Sequence, residues 1–302
     1  MARRPDALPG FCVVAIVREP LAIIRHFVDW YRRLGAARIR LYFDDPADPA
    51  LAAMQGDPLV DALACTAEFW RSLELTPEDR FTLRQNAALT HAYHDCREDW
   101  LLVVDADELL HLTQGFLPRR LARIPRRTQS LRVLPAEHAH APQESAVTTF
   151  RLPITRRAVN EIYGPLADLF RRRHGLIGHS NGKSLYRCGI DGLRIRQHWA
   201  ILPDGSQLAA REMGPDSGLI LLHYIAADYA AWRAKLEWRL ASSGFTYESR
   251  DQLEVLLKAS RDPETAYRQF YDLLHGLDPA RKAQLQGVGG ILELPTELAA
   301  PA

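Results

Sequence analysis

The chain has 302 residues, 47% of them apolar, enough to bury a sizeable core in one large domain or two ordinary ones. Lysine plus arginine (38) nearly balances aspartate plus glutamate (37), which excludes a net field drawing the whole protein to nucleic acid or to an anionic membrane. The cysteines Cys12, Cys65, Cys96 and Cys188 are scattered, with no C-x-x-C pair. That argues against a disulfide framework or a zinc signature, and for a reducing compartment, the cytoplasm by default.

Taken in chain order, FCVVAIV (11–17) is a continuous apolar run, too short to span a membrane and suited to a strand buried on both faces. Glu19-Pro20 then opens a helix with proline at its first position. Ile24, Phe27, Val28, Tyr31 and Leu34 recur at helical spacing, and Gly35 stops the run. RIRLYF (38–43) is a second strand, so the first three elements predict a parallel crossover and an α/β sheet. LVDALACT (59–66) reads as a third strand. Thr76-Pro77-Glu78-Asp79 starts a helix toward His94, with Phe81, Arg84, Gln85, Ala88 and Ala92 on one face. WLLVV (100–104) is the strand that presents Asp105, Asp107 and Glu108 at its carboxyl end, the edge where open α/β sheets bind ligands.

Beyond residue 130 the pattern predicts short strands at SLRVLPA, TTFRLPI, SLYRC and GLILLHYI. AEHAHAPQES, GLIGHSNGKS and LPDGSQLAAREMGPDSG read as loops between them. From Ala226, the segments AADYAAWRAKLEWRL, DQLEVLLKAS and TAYRQFYDLLHGL predict two or three amphipathic helices forming a C-terminal subdomain, ahead of a frayed ELAAPA tail.

The stretch VVDADELL (103–110) carries the chemistry. On a strand, Asp105 and Asp107 project to the same side, and two carboxylates aimed at one point need a cation between them or a large pKa shift. Carboxylate oxygens suit magnesium or manganese, which share their coordination shell with a substrate's phosphates. The plain alternative is negative charge at the start of a helix beginning near Leu109.

IVRE, DWYRRLGAARIRLYFDD, LRQNAALTHAYHD, DWLLVVDADELL, GKSLYR and LLHYI occur in the order seen in family 2-like glycosyltransferases, and the chain resembles the bacterial subgroup with a D-x-D-E motif. The resemblance spans roughly residues 11 to 240 and is closest over the first 112. It implies a GT-A fold: a Rossmann-like, mostly parallel sheet flanked by helices over 1–225, with a C-terminal helical region over 226–302. Residues 1–112 then form the nucleotide-sugar half and 113–225 the acceptor-side half. The family's usual Lys-Asn-Glu and Asp-Asn-x-Ser are replaced here by Arg18-Glu19 and Asp44-Asp45-Pro46.

What the resemblance implies is transfer of a sugar from a nucleotide-diphosphate donor to a glycan or lipid-linked acceptor hydroxyl, with inversion, using Mn2+ or Mg2+. Arg18, Glu19, Asp44, Asp45, Arg84, Gln85, Asp105 and Lys183 are the expected donor-binding residues. Asp105 and Asp107 are the expected metal ligands, with His223, or His198 as runner-up, as a third. An imidazole ligand favours manganese. Glu137, Glu161 and Asp168 are the candidates for the general base, Glu137 first. By the same analogy the setting is bacterial surface-polysaccharide or lipopolysaccharide assembly, in the cytoplasm at the inner face of the membrane. Arg156-Arg157 and Arg171-Arg172-Arg173-His174 are either solvated faces or a peripheral landing patch there.

Three rival readings remain beside it. A degenerate relative would bind nucleotide or glycan without turnover. A haloacid-dehalogenase-type phosphohydrolase expects its D-x-D on the first strand with threonine or valine following, whereas a sugar-nucleotide pyrophosphorylase needs a glycine-rich signature where Arg18-Glu19-Pro20 stands.

Overall fold

The computed structural model describes residues 8–141, 146–241 and 244–299. FCVVAIV forms β1 (Phe11–Val17), buried at every position. Pro20 is the N-cap of α1 (Leu21–Arg33) rather than its first residue, and Gly35, at φ +87°, turns the chain toward β2 (Arg38–Phe43). After α2 (Pro49–Gln55), β3 (Val60–Ala64) is shorter than expected because Thr66 leaves the strand to cap α3 (Ala67–Ser72), its hydroxyl accepting from Phe69 N. The following helix, α4 (Phe81–His94), starts later than Thr76. Asp79 accepts from the backbone and hydroxyl of Thr76, closing a local turn that competes with helix.

Next come β4 (Trp100–Val103) and β5 (Glu108–Leu112), so the acidic stretch is a turn between two strands and the alternative of a helix from Leu109 does not hold. The chain continues through α5 (Leu117–Ala122), β6 (Ser130–Val133), β7 (Pro135–Ala139), β8 (Val147–Arg151), α6 (Arg156–Tyr163) and α7 (Ala167–Arg171). AEHAHAPQES is therefore strand through Ala139, and its last four residues lie outside the described residues. Then follow β9 (Lys183–Arg187), β10 (Arg194–Ile195), β11 (Ala200–Ile201), β12 (Arg211–Met213) and β13 (Leu219–His223). Thus β11 and β12 border or interrupt a stretch expected to be loop. The last part holds α8 (Tyr229–Ala234), α9 (Leu236–Ala241), α10 (Tyr247–Ala259), α11 (Pro263–His275), α12 (Pro279–Gly287), β14 (Ile291–Pro295) and α13 (Thr296–Ala299). The region after 226 is thus not all helix, because β14 pairs antiparallel with β8 and ends at a proline, as an edge strand permits.

Packing divides the chain into two compact units: one built from residues up to Leu134 together with Asn181–Leu221, the other from Pro135–Ser180 and residues from Leu222 onward. These units do not coincide with the expected division at 225, since 135–180 pack with the C-terminal helices.

The first unit is a mixed α/β fold around a parallel-rich sheet flanked by helices, with strand order β12-β6-β9-β4-β1-β2-β3. Of its described strands only β9 runs against the rest, between β6 and β4. Cys12, Val14 and Ile16 of β1, with Leu101 and Val103 of β4, share one face by strand alternation. Ala88, Leu89, Ala92 and Tyr93 of α4 close over that face.

In the second unit β14, β8 and β7 form an antiparallel array. A separate core built on Phe170, Trp232, Leu236, Phe270 and Leu274 holds its helices.

Candidate active site

Alternation along a strand does not aim the two aspartates, because 104–107 leaves β4 as a turn. What shapes this corner is Glu108, fully buried, whose carboxylate accepts from Asp105 N at 2.7 Å. Tyr31 of α1 pins the same corner from below, donating to Glu108 O at 2.9 Å and accepting from Leu110 N at 3.0 Å.

Lys183 is the first residue of the antiparallel β9, which brings it to the carboxyl ends of its parallel neighbours. Its ammonium lies 2.7 Å from Asp105 Oδ2 and 3.4 Å from Glu108 Oε2, and the side chain is 1% exposed. It is therefore a buried counter-charge, not the loop lysine expected to reach phosphates. Burial works against its charge, but Asp105, Glu108 and Asp107 together outweigh that and hold the ammonium above its ordinary range. Gly182, at φ +70°, makes this placement possible: a Cβ there would meet Val133 O at 2.0 Å.

The other oxygen of Asp105 accepts from Gln85 Nε2 at 3.1 Å, and Gln197 donates to the Gln85 carbonyl in turn. One residue earlier on α4, Arg84 pairs with both carboxylate oxygens of Asp44. Arg84 also donates to Asp79 O at 3.0 Å and stacks 5.2 Å from the Trp70 ring centroid. Thus α4 links the ends of β2 and β4 through two adjacent side chains. Asp44 is committed to Arg84, while Asp45 is exposed and accepts from Ala47 N. Arg18 is exposed and Glu19 half-buried at the end of β1. His198 contacts Gly182 O through Nδ1 at 2.9 Å, which puts it beside the Lys183 turn.

Sequence reasoning picked out Arg84, Gln85, Asp105 and Lys183, and the fold joins them. It missed Gln197, for which the sequence carries no signal, and the structural part of Gly182, for which the glycine before the lysine is one.

Three carboxylates, Asp105, Asp107 and Glu108, act on the Lys183 ammonium here. Asp105 keeps 38% of its side chain exposed and Asp107 is half-buried, so hard oxygen donors remain at the rim. This donor set fits Mg2+ or Mn2+ held through Asp107 and the outer face of Asp105.

The remaining expected site residues lie in the second unit. Glu137 of β7 is fully buried and accepts from Ile177 N at 2.8 Å and Gly178 N at 2.5 Å. Its carboxylate is spent on the backbone of that turn, which corrects the expectation that it stands open to an acceptor. Glu161 and Asp168 sit on exposed helix faces, paired with Arg157 and Arg171 at 2.7 Å each. The fold does not gather these three carboxylates into one place. His223 ends β13 almost fully buried, its ring 4.9 Å from that of His179. Arg173 of the basic run turns inward to the Ile177 carbonyl rather than facing solvent.

No family model and no curated protein matches the chain. Among solved structures, the mannosyltransferase PcManGT from Pyrobaculum calidifontis, in complex with GDP-Man and Mn2+, aligns with 95% of this chain and 77% of its own, at a TM-score of 0.40 and 12% identity. No helix among the described residues is long and apolar enough to cross a membrane.

Proposed function

We propose that the protein is a metal-dependent glycosyltransferase that moves a sugar from a nucleotide-diphosphate donor to a glycan or lipid-linked acceptor hydroxyl, with inversion. One observation carries the reading: three carboxylates gathered at the carboxyl end of β4, two of them reaching the rim of a parallel-rich sheet. The motif order quoted above supports it independently. A divalent ion held there by Asp107 and Asp105 supplies Lewis-acid neutralisation of a leaving diphosphate. The chain's own residues set the stage. Lys183 fixes Asp105, Glu108 fixes the backbone of the turn, and Gln85 with Gln197 orients the second Asp105 oxygen. The Arg84–Asp44 pair supports the neighbouring strand end as part of the donor pocket. Exposed Asp45 and the Arg18-Glu19 pair are the residues left to meet the nucleoside. His223 or His198 as a further ligand, and Glu161 or Asp168 as base, belong to this same proposal. Its setting is the cytoplasmic face of a bacterial membrane.

The test is a thermal-shift screen of nucleotide-diphosphate sugars with and without Mn2+. A donor at about 100 times its dissociation constant should stabilise the chain by about 3 kcal/mol. Stabilisation that needs Mn2+ together with slow donor hydrolysis supports the enzyme. Binding with no hydrolysis and no Mn2+ dependence returns the degenerate binder, and no shift with any sugar nucleotide removes both.

A further inference from the structure

The sequence scatters its cysteines, but the fold collects three of them. Cys12 lies near the amino end of β1, Cys96 in the turn after α4, and Cys188 directly after β9. The sulfurs of Cys12 and Cys96 and a carboxylate oxygen of Glu98 lie within 4.8 Å of one another. Cys188 follows β9, and its backbone donates to Asp99 O at 2.9 Å, tying the end of β9 to the same turn. The Cys96 thiol approaches Glu98 Oε2 at 3.4 Å, while Arg38 reaches the opposite oxygen, Oε1, at 3.4 Å. No disulfide joins any pair.

We propose that Cys12, Cys96, Cys188 and Glu98 form a structural site for a thiophilic divalent cation, Zn2+, at the edge of the sheet opposite the acidic turn. A single disulfide would leave one of the three sulfurs out. A tetrahedral ion uses three sulfurs and one carboxylate oxygen at once. Tetrahedral zinc–thiolate bonds set sulfurs roughly 3.8 Å apart, so Cys12 and Cys96, within 4.8 Å of each other, need only a small contraction. The thiol protons leave to solvent as the metal–sulfur bonds form. Soft sulfur donors separate this site from the oxygen-rich rim at Asp107, which suits hard ions.

The placement gives the ion a purpose. It would clamp the amino end of β1, the carboxyl end of α4 and the far end of β9. Those elements deliver Arg84, Gln85 and Lys183 to the opposite edge.

The experiment uses the full chain, purified under reducing conditions. Zinc retained after dialysis should amount to about one equivalent, and Co2+ replacement should give a thiolate-to-cobalt charge-transfer band. Both should be lost in Cys96→Ser and weakened in Cys188→Ser and Glu98→Gln. Both should persist in Cys65→Ser, whose thiol lies outside the cluster, and in Asp107→Asn, which separates this site from the proposed active site. Native protein that retains no zinc and gives no cobalt band overturns the proposal, even if Cys96→Ser fails to fold. So does a cobalt band that survives in both Cys96→Ser and Cys188→Ser, or a Cys96 disulfide found by mass spectrometry in reduced, zinc-supplied protein.

Discussion

The Lys183 ammonium sits 2.7 Å from Asp105 Oδ2, with 1% of its side chain exposed and fully buried Glu108 beside it. The corner of the sheet is thus built around an internal cation. Removing one partner of such a group leaves the other charge buried and uncompensated, which costs more than the pair itself contributes. Lys183→Met should therefore destabilise the protein by about 3 kcal/mol in urea unfolding, moderated by the partial exposure of Asp105. Combining it with Glu108→Gln should cost less than the two single changes summed, because the second change removes the stranded charge.

Asp107 stands half-buried at the rim, where Asp105 and Glu108 lie closer to the Lys183 ammonium, so its replacement should separate chemistry from folding. Asp107→Asn should leave stability within about 0.5 kcal/mol. It should lower Mn2+-dependent donor hydrolysis roughly a hundred-fold, the loss of a few kcal/mol of charge stabilisation. Hydrolysis unchanged in the variant removes Asp107 from the metal site.

Gly182 precedes Lys183 in a left-handed conformation and packs against Val133 O. Gly182→Ala should cost about 2 kcal/mol or more, through both backbone strain and displacement of Val133. The start of β9 would shift with it, so donor affinity should fall alongside stability. Isothermal titration and chemical denaturation on the same variant check both.

In the second unit, burial, then the charges of His140 and Arg151, push His138 down to about 3. Its unfolded value is about 6.5, so the unfolded chain binds more protons between those limits. Stability contributed by neutral His138 is full above about 6.5 and is lost as pH falls toward about 3. His138→Gln should flatten the acid limb of the stability profile by up to about 1.4 kcal/mol per pH unit, as read from denaturation midpoints between pH 4 and 6 (about two units within that window).

Much of the first crossover was legible because its signals are local. The apolar run of β1, the helical spacing of Ile24, Phe27, Val28 and Tyr31, and Gly35 each act within a few residues. Boundaries drifted where a side chain captured the backbone, as Thr66 and Asp79 do. β14 was missed beneath a helical expectation because only its pairing with β8 makes it a strand.

By itself the sequence determined a parallel-rich α/β sheet and an acidic stretch at the end of one of its strands, since hydrophobic periodicity and residue chemistry are written along the chain. Only the tertiary structure decided what those carboxylates face. Lys183 reaches Asp105 because β9 inserts antiparallel, Glu137 is spent on the backbone of 177–178, and the distant Cys12 and Cys96 meet beside Glu98. Strand order and direction are set by how the whole sheet packs, and no stretch of a few residues contains that information.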